Sequence, residues 1–271
     1  MSQSFDTCII LPRLSSQHEE YVLKLAEKLG LPLEKTLKNT YRYHLVYTDN
    51  RLELQHNPDF SPIKEKPISV DFCKGSITAK RLSTASVKSP LAKAAGIKPG
   101  RRPTIADVTA GLGTDGVTLA LLGCKVFLVE RNPVIFALLQ DGINRAINDN
   151  DVGRLLQNNL QLHWGDSISF LSQLPFSPHT IMLDPMYPFR KKSPCNKKEM
   201  RVIRYIVGSD DDHHDLFTAA FKIADKRVVV KRPKGGKAIC EAVKPSHHIA
   251  MKSGRFDVYI KHQKEAGRVI S

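Results

Sequence analysis

From Ile105 onward, short apolar runs of β-favouring residues alternate with longer stretches whose apolar positions recur at helical spacing. This pattern predicts strands at 105–108, 125–129, 160–163, 179–183 and 227–231. Between them it predicts helices at 115–122, 133–148, 167–173, 199–207 and 213–224. Strands separated by helices in this way specify a parallel, doubly wound α/β sheet. The rhythm changes near the end, where His247–Met251 and Phe256–Ile260 flank Lys252-Ser-Gly-Arg255, turn chemistry that predicts an antiparallel hairpin.

The first 72 residues follow another pattern. A strand at Phe5–Leu11 ends at Pro12, and Ser15 or Ser16 caps a helix through Leu29, with Tyr21, Leu25 and Leu29 on one face and Gly30 as its stop. Tyr43–Tyr47 and Arg51–Gln55 alternate around Asp49-Asn50, which predicts a hairpin, and a proline-marked loop leads to a strand at Ile68–Phe72. Residues 1–72 therefore read as a small α+β appendage. Residues 73–100 form a basic connector, with a helix from Pro90 to Ala95 stopped by Gly96, and 101–271 carry the main sheet.

Composition adds a partner class. Hydrophobic residues make up 41% of the chain, enough for a substantial core, and the formal net charge is +14. An excess of that size points to a polyanion, because neutralised phosphates release counterions. Cys8, Cys73, Cys124, Cys195 and Cys240 are scattered, without a C-x-x-C pair, which argues against a disulfide framework or a structural zinc site. No leader-like or membrane-length apolar run is present, so a soluble protein of a reducing cytoplasm is expected.

The candidate chemistry starts at the first glycine turn. Gly111, Gly113 and Gly116 separate a strand from a helix, spaced as in nucleotide-binding turns, and Glu130 lies about 20 residues on, where an acid meets ribose hydroxyls. Asp107 before the turn and Asp115 within it would repel a pyrophosphate. They suit S-adenosylmethionine, which carries an ammonium and a sulfonium and no phosphate. Asp166 is placed to hold the adenine amino group, with Ser167 capping the next helix; Asp166 as a simple helix cap is the competing assignment.

A second motif selects the acceptor. The run Thr180-Ile-Met-Leu-Asp-Pro-Met-Tyr-Pro188 ends a buried strand in a proline-stiffened loop at the carboxyl edge of the sheet. An amino group conjugated to a base is a poor nucleophile. Asp184 and the Pro185 carbonyl can accept its two N–H bonds and orient the nitrogen, while Tyr187 stacks on the base.

This order resembles the class I methyltransferases that act on exocyclic amino groups, although Met186 stands where their motif has a second proline. The longer runs narrow the resemblance: Asp107-Val-Thr-Ala-Gly-Leu-Gly113, Glu130-Arg-Asn-Pro133, Asp184-Pro-Met-Tyr-Pro-Phe189, Lys197-Lys-Glu-Met-Arg201 and Val228-Val-Val-Lys-Arg-Pro233. From about Ile97 to Ile260 the chain is similar to the RsmJ family of bacterial small-subunit ribosomal RNA guanine-N2 methyltransferases. The resemblance implies a Rossmann-like class I methyltransferase sheet, S-adenosylmethionine as donor, and a guanine near the 3′ end of 16S rRNA as acceptor. It implies cofactor contacts at Thr114-Asp115, Glu130-Arg131, Asp166-Ser167 and Asp184. The family carries Arg where this chain has Thr114, and a Ser-Ser pair can stand in place of Asp166-Ser167.

Basic residues cluster after the second motif: Arg190, Lys191, Lys192, Lys197, Lys198 and Arg201, with Lys231 and Arg232 at the end of a later strand. These read as phosphate contacts that position RNA, free or within the small ribosomal subunit. The acidic run Asp210–Asp215 reads as the N-terminus of a helix rather than a metal site, and no metal is expected. An adenine-N6 or cytosine-N4 methyltransferase uses the same amino chemistry. An NAD(P)-dependent oxidoreductase would share the glycine turn, and a non-catalytic RNA-binding assembly factor would share the basic charge.

Overall fold

The computed structural model describes residues 7–10, 16–35, 40–48, 51–60, 66–73, 86–186, 198–208 and 212–261. Its larger sheet contains β5 (Ile105–Asp107), β6 (Val126–Glu130), β7 (Leu160–Trp164), β8 (Thr180–Leu183), β9 (Arg227–Pro233), β10 (His247–Ala250) and β11 (Gly254–Ile260). The spatial order is β10-β11-β9-β8-β5-β6-β7. Strands β5 to β9 pair in parallel, whereas β11 runs antiparallel to both β9 and β10. The chain winds outward from β5 through β6 to β7, then returns to the other side of β5 with β8. The order therefore switches between β5 and β8, and ligands bind at such a point, beyond the carboxyl ends of the strands.

Local chemistry accounts for the helices around this sheet. The helix at 133–147, α4, starts where Asn132 accepts the N–H groups of Val134 and Ile135 and where Pro133 fixes the first turn. It buries Val134, Ile135, Phe136, Leu138 and Leu139, and each such side chain contributes roughly 1.5–3 kcal/mol. Behind the sheet, the short α2 (Pro90–Ala95) is capped by Ser89 and ends at Gly96, and Thr180 Oγ1 donates to the Ala95 carbonyl at 2.8 Å.

The smaller sheet has the order β2-β1-β3-β4, from Thr7–Ile10, Leu33–Glu34, Tyr43–Thr48 and Arg51–His56. Strand β1 is parallel to both β2 and β3, with α1 (Ser16–Leu29) between β1 and β2, and β3–β4 is the antiparallel hairpin. Its core is continuous with that of α4. Within that junction, the Asp141 carboxylate accepts the Leu52 N–H at 3.1 Å and pairs with Arg145 at 3.0 Å. Arg145 also reaches Asp71 and the Val70 carbonyl. A Cβ at Gly142 would lie 2.5 Å from Val70 Cγ1, so this close approach requires glycine.

Several elements differ from the expectations, among them the two-residue β2, which no pattern marked. Ile68–Phe72 forms no strand: Ile68 bridges Leu54, and the Val70 carbonyl bonds to the Arg145 guanidinium instead of a ladder. A helix at Gly153–Asn159, α5, was absent from the pattern because it is short and its first residue has no side-chain cap. Gly153 lets it close on the preceding helix, where a Cβ would meet the Ile147 carbonyl oxygen at 2.1 Å. Cys8, Cys124 and Cys240 are buried and take part in no disulfide.

Candidate active site

The turn after β5 is tied to its neighbours by backbone groups. The Val108 N–H donates to the Met182 carbonyl, the Ala110 N–H to the Val129 carbonyl, and Ser167 Oγ to the Val108 carbonyl at 2.6 Å. Gly111 and Gly113 have φ of 54° and 75°, a region that glycine enters without a Cβ clash. Gly113 also leads into α3 (Thr114–Leu121), and a Cβ there would fall 2.4 Å from Leu139 Cδ1.

Glu130, at the end of β6, is buried. Its two carboxylate oxygens accept the N–H groups of Gly111 and Asn132, each at 2.8 Å. Arg131 pairs with Asp212 at 2.6 Å, just before α8 (His213–Ile223). Asp166, rather than Ser167, caps α6 (Ser167–Gln173), accepting the Ser169 N–H at 2.8 Å. Ser167 is committed to Val108. The expected cap moves by one residue because Asp166 carries the extended backbone conformation that a cap needs.

Asp184 follows β8 directly, and its N–H donates to Thr109 Oγ1 at 2.6 Å. One cleft brings together Val108, Thr109, Glu130, Arg131, Asp166, Ser167, Asp184, Met186, Val207 and Asp212. The cleft is open to solvent on one side. Asp107, Thr114 and Asp115 lie outside this lining. Asp107 is buried behind the turn, and that burial, together with Asp115 and Asp184, pushes its carboxyl up to about 7.

Lys231, expected among the phosphate contacts, is placed elsewhere. Its ammonium bridges Asp115 Oδ2 at 2.8 Å and Asp184 Oδ2 at 3.0 Å. These two carboxylates hold the Lys231 ammonium well above the ordinary lysine range despite its partial burial. Asp184 itself is half exposed; the surrounding protein raises its carboxyl above the usual range, and Lys231 opposes that rise. Arg232, also expected among the phosphate contacts, is buried on β9 at 8% exposure. Arg201 is exposed on α7 (Lys198–Val207). Tyr187, Arg190, Lys191, Lys192 and Lys197 lie outside the described residues, as does the side chain of Lys198.

A family model of SAM-dependent methyltransferases matches residues 24–261. The ribosomal RNA small subunit methyltransferase J of Desulfotalea psychrophila is 44% identical over 237 residues, covering 88% of this chain and 90% of its own. That of Aeromonas salmonicida is 45% identical over 226 residues, covering 83% and 89%. Among solved structures, a SAM-dependent methyltransferase from Neisseria gonorrhoeae superposes with a TM-score of 0.73 at 28% identity, over 96% of this chain and 97% of that one. The chain belongs to this methyltransferase family.

The methyltransferase cleft fits the family's donor by its chemistry. Asp212 is paired with Arg131 and Asp184 with Lys231, and Glu130 and Asp166 keep the lining acidic beyond those pairs. Such a lining repels a pyrophosphate and favours a ligand with a sulfonium and an ammonium. Sequence reading missed Thr109 and Asp212 as parts of the site. Thr109 sits within the glycine turn and could have been found by asking what holds the second motif against the first. Asp212 is brought in by α8 and had no local signal. Among the described residues no helix is long and apolar enough to cross a membrane, and no His, Cys, Asp and Glu group is arranged to hold a metal ion.

Proposed function

We propose that this methyltransferase modifies the exocyclic N2 of a guanine near the 3′ end of 16S rRNA in the cytoplasm. The observation that carries this reading is the position of Asp184, at the switch between β8 and β5, on the rim of the cleft that holds Glu130 and Asp166. S-adenosylmethionine, when bound, supplies an electrophilic methyl group on a sulfonium. Glu130 would accept the ribose hydroxyls, and Asp166 the adenine amino group through the oxygen capacity left beyond its cap. Asp184 and the Pro185 carbonyl would each accept one N–H of the guanine amine, turning its lone pair toward the methyl carbon. Tyr187 would stack on the base. The relatives' names, which specify small-subunit ribosomal RNA, support this acceptor, and Arg201 with the basic run before it in the sequence would supply phosphate contacts.

Mass spectrometry of small-subunit rRNA from cells lacking the protein tests the base and its position: one N2-methylguanine should disappear, and loss of a methyladenine or methylcytosine instead overturns the assignment. Asp184→Ala should abolish transfer while the far-ultraviolet circular dichroism stays unchanged. Wild-type turnover in that variant would sink the role of Asp184.

A further inference from the structure

Three carboxylates converge behind the acceptor loop, from three different elements. Asp107 ends β5, Asp115 lies in the first turn of α3, and Asp184 follows β8. Burial raises the Asp107 and Asp184 carboxyls, and the charge of Asp115 adds to the rise of each. The ammonium that enters this group comes from β9, where Lys231 contacts Asp115 at 2.8 Å and Asp184 at 3.0 Å. A phosphate-contacting lysine is solvated and free to swing. Lys231 is instead about one-third exposed in its side chain, with two of its three donors directed at carboxylates.

We propose that Lys231 is a positioning residue for methyl transfer, its ammonium anchored on Asp115 and fixing the Asp184 carboxylate in the orientation that receives the acceptor amine. The proposal rests on the reading of Asp184 given above. The geometry explains why a lysine and two acids are used. Asp115 belongs to the glycine turn on the donor side, and Asp184 belongs to the acceptor loop. A shared cation ties the two loops to one strand, so donor and acceptor halves keep a fixed separation. Thr109 Oγ1 holds the Asp184 backbone from the same turn, and Lys231 holds its side chain. The pair also sets protonation: Lys231 opposes the burial and the Asp115 charge that raise Asp184, and Arg204 on α7 acts in the same direction as Lys231.

The test compares Lys231→Met, Lys231→Arg and Asp184→Asn with the wild type, using full-length protein, tritiated methyl donor and small-subunit RNA at several salt concentrations. Lys231→Met should lower kcat by about a hundredfold, as misplacement of a reacting group does, and leave KM for RNA and its salt slope unchanged. The acid limb of its residual kcat profile should move to higher pH, since Asp184 loses the cation that keeps it ionised. Lys231→Arg, which restores the charge, should recover much of the rate and return the limb toward the wild-type pH. A Lys231→Met enzyme with normal kcat but a salt slope reduced by about one unit would mark a phosphate contact and overturn the proposal. Wild-type kcat and pH profile in that variant would overturn it equally. If Lys231→Met does not fold, the arginine variant decides: a folded protein whose rate stays about a hundredfold below the wild type and whose acid limb lies at higher pH refutes positioning by charge. An active Asp184→Asn enzyme would instead strike the underlying reading of Asp184, so the two failures are distinguishable.

Discussion

Glu130 accepts the Gly111 N–H at 2.8 Å, which makes the acid at the end of β6 part of the glycine turn after β5. The same carboxylate accepts the Asn132 N–H, and Asn132 in turn caps α4. One buried side chain thus sets the turn, the start of a core helix and the polar floor of the cleft.

Glu130→Ala should weaken donor binding by at least tenfold in calorimetry, in line with the loss of about 1.5–3 kcal/mol for a charged hydrogen bond. It should also lower stability, because the Gly111 and Asn132 N–H groups lose their acceptor. Unchanged donor affinity would remove the ligand role of Glu130.

Thr109→Val keeps the side-chain shape and deletes the acceptor of the Asp184 N–H. The expected cost is about 1 kcal/mol in stability. A fall in kcat at near-constant KM for RNA should accompany it, because the Asp184 loop is less well fixed. Steady-state kinetics alongside urea melts checks both parts.

Asp107 contributes a pH dependence whose sign follows from its raised pKa. In the folded chain its carboxyl titrates at about 7, against about 4 when unfolded, so the folded state binds the proton more tightly between these values. Its contribution to stability is therefore greatest below about pH 4 and is lost as pH rises to about 7, by at most about 4 kcal/mol. Urea melts from pH 5 to pH 8 should show the wild type losing stability more steeply than Asp107→Asn. Parallel curves would show that Asp107 titrates normally.

Arg145→Met should separate the two sheets energetically. It leaves Asp141 buried without its cation, while Asp141 still accepts the Leu52 N–H. Breaking such a pair costs about 3–5 kcal/mol. Hydrogen exchange should report faster opening at Leu52 and along β4 than in the strands of the larger sheet.

The amino-acid sequence by itself determined the alternation of strands and helices from Ile105 to Pro233 apart from α5, the hairpin at β3–β4 and the antiparallel ending. Period and turn residues are local properties. It also marked the two loops that matter, because glycine spacing and an Asp-Pro run are local as well. The tertiary structure decided what those loops do to one another. Ile68–Phe72 has strand-forming residues, yet Arg145, 75 positions after Val70, takes the carbonyl that a ladder would need. Lys231 looked like one more surface cation until β9 was placed beside β8, which put its ammonium between Asp115 and Asp184, 116 and 47 positions away in the chain. Charges that meet across such distances have no signature in local pattern; the order of strands in the sheet creates their contact.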